Sequence, residues 1–187
     1  SGLAAAARHG ILIKGGVYLE EGYKLAWLAL DKTGTITHGK PVLTDTVMLD
    51  QPPGLEAVRI ATSLAARSDH PVSRAIATNG QQNGTVLLDV ADFAAIPGRG
   101  VRGTVGDVHY QLGNHRLIHE LGVCTPPLEA QLGDLEEEGK TVILLTDGER
   151  VLVLFAVADT VKDSSRAAIQ ALHELGIKTV MLTGDNA

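Results

Sequence analysis

The sequence has little cysteine, few aromatic residues and no long apolar run. Its one cysteine, Cys124, excludes an internal disulfide and any metal site built from several cysteines, and fits a reducing compartment. No apolar stretch approaches the ~18 residues of a membrane-spanning helix. We expect no signal peptide, because residues 1–8 are short and Ala-rich, with their positive charge at the wrong end.

The chain also lacks an excess of positive charge. Its net charge is −6, so no basic surface for nucleic acid or anionic membrane is expected. With 44% hydrophobic and 20% charged residues, the composition is that of an ordinary soluble globular protein. A length of 187 residues allows one large domain or two small ones.

The most informative stretch is DKTGT, residues 31–35, directly after the apolar run 26–30. Such a run predicts a strand buried on both faces of a parallel sheet. Asp31 would then lie at the carboxyl end of the strand, where open α/β sheets bind ligands. Lys32 adds positive charge and Gly34 permits close approach of the backbone, so the stretch suits a phosphate.

Asp31 has two interpretations. It could cap a turn, with Lys32 a solvated charge. Alternatively, its carboxylate is a nucleophile that forms an aspartyl phosphate. The complete stretch 31–41 resembles the phosphorylation motif of P-type ATPases, which favours the second interpretation.

His70 is the next candidate. Pro71 biases His70 away from helical geometry and suits the first turn of a helix predicted over 72–78. His70 would therefore precede a helix start, where N–H groups and the dipole favour anions. Its ring could meet a nucleotide, or it could be a surface histidine beside a cap.

Residues 85–112 are typical of β structure, with a hairpin predicted at 106–107. Gly98 and Gly100 are either turn glycines or points of close ligand approach. Gly113 and Asn114 end a strand and open a helix over 115–121, as a plain turn or as part of a ligand rim.

The last part of the chain predicts a strand over 151–158, a helix from 163 to about 175 and a strand closing at Leu182. We expect this βαβ unit to have parallel strands. Thr183 would then end its strand as Asp31 ends its own. If those two strands are neighbours, both loops face one phosphate, to which Thr183 could donate its hydroxyl.

The expected fold is therefore α/β, with an inserted domain. Residues 1–40 and 156–187 would form a parallel-sheet domain, interrupted by an α+β domain at 41–155. Hinges are expected at 39–41 and 158–160.

With these pieces placed, nearly the whole chain resembles the cytosolic catalytic part of heavy-metal-transporting (type IB) P-type ATPases. The resemblance implies a haloacid-dehalogenase-like sheet and makes Asp31 the phosphorylated aspartate. Thr33 matches a residue that helps to bind Mg²⁺ and phosphate, and Lys32 would add to the local field. Thr183, Gly184 and Asp185 resemble the family TGD motif.

The resemblance also implies a nucleotide site in the inserted domain. Residues 68–71 resemble the SEHP motif, with Asp69 in place of Glu and His70 as the adenine contact. Further motif positions match the GxG and GN elements: Gly98, Gly100, the adjacent Val101, Gly113 and Asn114. Asp159 matches the start of the hinge motif, and Lys162 stands where Arg is usual.

Two departures from the family pattern stand out. Ala65 occupies the position where a Glu commonly contacts adenine, so ATP affinity is expected to be lower unless another residue compensates. The sequence stops before the downstream lysine and the GDGxNDxP segment that completes Mg²⁺ binding.

The leader 14–20 looks more like zinc, cadmium or cobalt exporters than copper exporters.

The implied function is that of the ATP-binding and phosphorylation part of a metal-exporting ATPase, with ATP and Mg²⁺ as cofactors. Its partners would be the transmembrane and actuator domains of a parent chain, at the cytoplasmic face of a membrane. The transported metal would not bind here, and neither would nucleic acid.

Three alternatives remain: a copper exporter, a soluble haloacid-dehalogenase-type phosphatase with the insertion as a cap, and a non-catalytic ATP-binding module. Such phosphatases commonly carry a second Asp at the position of Thr33.

Overall fold

The computed structural model describes residues 2–49 and 54–182. The chain forms two compact units, one comprising Ser1–His38 with Val161–Ala187 and the other Gly39–Thr160. We call them the sheet-pair unit and the insert unit. The insertion expected at 41–155 lies within the second. Within the described ranges, no helix is both long and apolar enough to cross a membrane.

In chain order the regular elements are α1 (Gly2–Arg8), α2 (Gly16–Glu21) with a 3-10 turn (Gly22–Lys24), β1 (Trp27–Asp31), a wide turn (Lys32–Ile36), β2 (Thr37–Met48), α3 (Gly54–Ala65), α4 (Pro71–Gln82), β3 (Ala91–Ile96), β4 (Gly100–Val105), β5 (Val108–Gly113), α5 (His115–Glu120), α6 (Pro126–Glu137), β6 (Thr141–Thr146), β7 (Val151–Val161), α7 (Asp163–Glu174) and β8 (Lys178–Leu182).

The sheet-pair unit is built on β1 and β8, which pair in parallel from Trp27 opposite Lys178 to Asp31 opposite Leu182. Helix α7 contacts β8. Asp31 is therefore the last residue of a strand whose neighbour runs in the same direction. This pairing meets the condition under which the loops after both strands share one edge.

Two expectations about this unit are wrong. Strand β1 is not buried: its residues alternate between exposed and half-buried, and Trp27 is 59% exposed. The reason is that, within residues 2–49 and 54–182, β1 has one partner strand, so an apolar run does not imply two covered faces. The predicted βαβ unit of β7, α7 and β8 is also absent, because β7 belongs to the six-stranded sheet while β8 pairs with β1.

The insert unit contains that six-stranded sheet, in the order β2-β7-β6-β5-β4-β3. The pairs β3–β4, β4–β5, β5–β6 and β6–β7 are antiparallel. The hairpin predicted at 106–107 is confirmed as the β4–β5 connection, and a second hairpin joins β6 to β7. Gly106 and Gly148 have positive φ values of 61° and 93°, which explains glycine at both turns.

Helices cover both faces of this sheet. Along β6, Ile143 and Leu145 join one apolar cluster while Val142 and Leu144 join another, as expected when successive side chains point to opposite faces. The first cluster includes α3 and α4 through residues such as Leu64 and Ile76. The second includes α5 and α6. The insert unit is thus a three-layer α/β/α arrangement whose core supports the predicted nucleotide motifs.

Gly100 lies where two strands approach closely. Its φ is 153°, and a Cβ there would collide with the Leu112 carbonyl oxygen and would lie 2.5 Å from the Gly113 Cα. Both atoms belong to the β5 backbone, which cannot move aside as a flexible side chain can. Glycine at this position is therefore required by the β4–β5 pairing itself.

We predict that Gly100→Ala lowers the free energy of unfolding by about 3 kcal/mol, from overpacking and backbone strain together. Gly106→Ala in the same hairpin is the matched control, since nothing lies within 4 Å of its Cβ position. It should cost only about 1 kcal/mol for its left-handed φ. Urea unfolding of both variants measures the difference; equal losses would show that the close approach to β5 is not limiting.

Candidate functional site

Asp31 lies exposed at the carboxyl end of β1. Its backbone is still extended, with φ −68° and ψ 141°, and the chain turns immediately after it. This geometry presents the carboxylate at the sheet edge where parallel strands bind ligands. The carboxylate is therefore accessible from solvent.

The turn after Asp31 has a defined shape. Thr33 and Gly34 leave helical geometry, and Gly34 has a φ of 77°. Thr37 closes the turn, because its hydroxyl accepts from the Gly34 N–H at 3.2 Å and donates to the Lys32 carbonyl at 3.1 Å. Thr37 is 3% exposed, so water competes little for these bonds. The sequence analysis did not assign Thr37 a role.

A lysine from the far end of the chain holds the same turn. The Lys162 ammonium donates to the Gly34 carbonyl at 2.6 Å and to the Thr35 carbonyl at 3.2 Å. Its backbone N–H donates to the Ile36 carbonyl at 3.0 Å. Ser165, in the first turn of α7, donates its hydroxyl to the Thr35 carbonyl at 3.4 Å. The sequence analysis noted Lys162 only as a substitution in the hinge motif. Its place in that motif was the one sequence signal that could have pointed to a role.

The remaining predicted catalytic residues, Thr183, Gly184 and Asp185, lie outside the described residues. Leu182, which pairs with Asp31, is the last residue that the structure describes.

The residues assigned to Mg²⁺ have suitable chemistry. Asp31 offers a carboxylate and Thr33 offers hydroxyl and carbonyl oxygens, both on an exposed turn. Mg²⁺ prefers oxygen ligands, and commonly takes one or two carboxylates together with substrate phosphate. The donor set therefore fits this ion.

In the insert unit, His70 caps α4. Its Nδ1 accepts from the Val72 N–H at 3.3 Å, with Pro71 as the first helical residue. The side chain is exposed, so the ring remains accessible while one nitrogen serves the cap. Asp69 forms an exposed ion pair with Arg74 at 3.4 Å. The two interpretations of His70 are therefore compatible.

The two glycine motifs meet through Asn114. Its side-chain amide donates to the Gly98 carbonyl at 3.1 Å, and its backbone N–H donates to the Arg99 carbonyl at 2.8 Å. Its side-chain oxygen caps α5 by accepting from the Leu117 N–H at 3.1 Å. Sequence motifs sixteen residues apart thus form one turn-and-cap assembly. The side-chain bonds of His70 and Asp69, by contrast, are local to their own segment.

Three residues in or near the family's nucleotide motifs have side chains that contact other parts of the insert unit: Arg99, Val101 and Ala65. Arg99 forms two hydrogen bonds with Glu120, at 2.6 and 2.7 Å, and this pairing raises the pKa of the guanidinium. Val101 is 6% exposed, so its side chain packs in the core and only its backbone could face a nucleotide. Ala65 is fully buried in the same core, where a carboxylate would lose its hydration.

Asp159 joins the two segments at which the chain enters and leaves the insert unit. Its carboxylate accepts from the Gly39 N–H at 3.1 Å and from the Lys40 N–H at 3.2 Å. The segment that enters the insert unit and the segment that leaves it are therefore hydrogen-bonded to each other through Asp159, and both contacts lie within the predicted hinges.

Comparison with solved structures shows where such an arrangement occurs. The chain superposes on a zinc-transporting PIB-type ATPase in an E2.Pi state with a TM-score of 0.83 and 34% identity, over 99% of this chain and 30% of that one. It also matches the catalytic domain of the CPx-ATPase CopB-B at 24% identity, TM-score 0.71, over 100% of this chain and 65% of that one, a likeness of fold alone.

Sequence comparison agrees. The chain is 44% identical to a probable cadmium-transporting ATPase of Staphylococcus aureus over 100% of its length and 26% of the relative. It is 41% identical to a copper-exporting P-type ATPase of Staphylococcus saprophyticus, over 99% of this chain and 23% of that one. It spans about a quarter of the length of these curated relatives.

These matches confirm the resemblance to the catalytic part of heavy-metal P-type ATPases and the α/β fold class. The family of haloacid dehalogenase-like hydrolases matches residues 25–187, which include Asp31 and the turn that Lys162 holds. The chain belongs to the haloacid dehalogenase-like hydrolase family.

Proposed function

We propose that this chain is the ATP-binding and phosphorylated part of a P-type ATPase that exports heavy-metal cations. The observation that carries the proposal is the exposed Asp31 carboxylate at the end of paired parallel strands, followed by a turn held by Lys162 and Thr37. A fixed turn beside a nucleophile is what phosphoryl transfer requires, because that reaction depends on positioning and electrostatics.

In the proposed reaction a carboxylate oxygen of Asp31 attacks the γ-phosphorus of ATP. The bond to the β–γ bridging oxygen breaks, ADP leaves, and an acyl phosphate remains on Asp31. Asp31 and Thr33 would supply oxygen ligands to Mg²⁺, which when bound would neutralise charge on the phosphates. Lys32 contributes positive charge beside the carboxylate. Hydrolysis of the acyl phosphate regenerates Asp31.

ATP would bind to the insert unit. The exposed ring of His70 offers a stacking surface for adenine, and the assembly of Gly98, Gly100, Gly113 and Asn114 offers a backbone rim without bulky side chains. Asp69 and the Val101 backbone would complete the site. Under this proposal the insert unit is the nucleotide-binding domain and the sheet-pair unit is part of the phosphorylation domain.

The relatives are named for cadmium, copper and zinc transport, which supports a thiophilic metal as cargo. The leader over 14–20 favours zinc, cadmium or cobalt. In the parent chain, transmembrane and actuator domains would couple the phosphorylation cycle to export from the cytoplasmic face. A soluble phosphatase is disfavoured, because Thr33 replaces the acid/base carboxylate that such enzymes commonly carry.

The nucleotide site is tested by titrating the chain with ATP, followed by calorimetry and amide NMR. We predict saturable binding that His70→Ala weakens about tenfold, the cost of losing one base-stacking side chain. Because His70 also caps α4, His70→Asn is the informative companion: it keeps a capping side chain but removes the ring, and should bind ATP equally weakly. His109→Ala on β5 is the control for a surface histidine.

Unchanged affinity in both His70 variants, with normal spectra, would place adenine elsewhere. Steady Mg²⁺-dependent turnover by this chain that Asp31→Asn abolishes would contradict our expectation that it binds ATP with little or no turnover by itself.

The phosphorylation site is tested by exchanging this chain for the matching segment of the Staphylococcus aureus cadmium-transporting ATPase. We predict that γ-labelled ATP and Mg²⁺ give an acid-stable, hydroxylamine-sensitive label that Asp31→Asn abolishes. Asp163→Asn, an exposed aspartate in the same unit, should retain it. A label that survives Asp31→Asn would assign the nucleophile to another residue.

Lys162 acts in this scheme as a positioning residue. In the same chimera, we predict that Lys162→Met lowers the rate of labelling by about a hundredfold, because a 1 Å displacement of reacting groups costs that much. Lys162→Arg should restore most of the rate, since a guanidinium can donate to both carbonyls. The affinity of the insert unit for ATP should stay unchanged in both variants. Equal labelling rates for Lys162→Met and Lys162→Arg would show that the hydrogen bonds from Lys162 to the turn are dispensable.

A further inference from the structure

A cluster of metal-ligand side chains lies in the insert unit, apart from the residues assigned to ATP. His115 begins α5, Cys124 lies in the loop before α6, and Glu129 is in the first turns of α6. Their ligand atoms all lie within 4.8 Å of one another. The Glu129 carboxylate oxygen Oε2 is 3.1 Å from His115 Nε2 and 2.9 Å from Cys124 Sγ.

We propose that His115, Cys124 and Glu129 form a binding site for a borderline-soft divalent cation, of the class of Zn²⁺ or Cd²⁺. The site offers one nitrogen, one sulfur and one oxygen ligand, all of which Zn²⁺ accepts, and a water molecule would complete a tetrahedron. The thiol excludes Mg²⁺ and Ca²⁺ as preferred occupants, because those ions take oxygen ligands.

A second carboxylate orients the histidine. Glu136, two turns further along α6, has its carboxylate oxygens 3.4 Å from His115 Nδ1. With the proton on Nδ1 donated to Glu136, the lone pair of Nε2 points toward Cys124 and Glu129. A carboxylate that holds the far nitrogen of a ligating histidine is the usual outer-shell arrangement of metal sites.

The two carboxylates beside His115, those of Glu129 and Glu136, favour positive charge at the cluster. Burial lowers the pKa of His115, but Glu129 and Glu136 outweigh that effect and the net shift is upward. Burial and the bond to Glu129 raise the pKa of the Cys124 thiol to about 11. Cys124 Sγ donates its proton to Glu129 Oε2 at 2.9 Å, and a cation bound between them would displace that proton.

The site connects to the rest of the unit through its first residue. His115 directly follows Asn114, which caps α5 and bonds to the Gly98 carbonyl. A cation would fix α5 to α6 at the point where the two glycine motifs meet. The site does not depend on the proposed ATPase function.

The test is a Cd²⁺ titration of the chain, followed by the ultraviolet charge-transfer band of the cadmium–thiolate bond and by competition with a metal indicator. We expect one equivalent to bind. His115→Asn and Glu129→Gln should each weaken binding at least tenfold, and Glu136→Gln by about 10- to 100-fold, as for outer-shell carboxylates elsewhere. Imidazole NMR signals of His115 should shift on binding.

Matched controls separate a built site from a lone reactive thiol. Glu137→Gln, the exposed neighbour of Glu136, and His109→Asn on β5 should leave the affinity unchanged. Metal-free amide spectra establish that each variant is folded. Cadmium binding that needs Cys124 but is insensitive to His115→Asn and Glu129→Gln would overturn the proposal, and so would the absence of saturable binding.

Discussion

The proposed chemistry depends on the hydrogen bonds that the Lys162 ammonium donates to the turn after Asp31. They join residues up to 128 positions apart and satisfy two carbonyls of an irregular turn that would otherwise bond only to water. Hydrogen bonds from a charged donor contribute about 1.5–3 kcal/mol, more than neutral ones. Together with the buried Thr37 hydroxyl, these bonds convert a flexible, glycine-containing stretch into a fixed one beside an exposed carboxylate.

The insert unit shows how motif residues can serve the fold and a ligand at once. Gly100 is required because the β5 backbone occupies the place of its side chain, and Asn114 of one glycine motif donates to the Gly98 carbonyl of the other. His70 caps a helix with one nitrogen and exposes its ring. The space that the missing Gly100 side chain leaves is filled by β5, so only backbone atoms could face a nucleotide there, whereas nothing lies within 4 Å of the Cβ position of Gly98.

Much of the architecture could be predicted where the signal was local. Gly106 and Asp107 marked the β4–β5 hairpin, and Pro71 marked the start of α4. The strand before Asp31 was located to within a residue, but its burial was not, because burial depends on how many neighbours a strand has. The sequence pattern gives only the order strand, helix, strand. It could not show that β8 pairs with β1 and not with β7.

The fold class, the division into two parts and the residue types at the candidate phosphate and nucleotide sites could be predicted, because they follow from short motifs and from hydrophobic runs. Three arrangements could not be predicted and are seen only in the folded chain: Lys162 holds the turn after Asp31, Asn114 links Gly98 to α5, and His115, Cys124 and Glu129 converge. The reason is distance along the chain: each of these contacts joins segments whose proximity depends on strand order and helix packing, which no local pattern encodes.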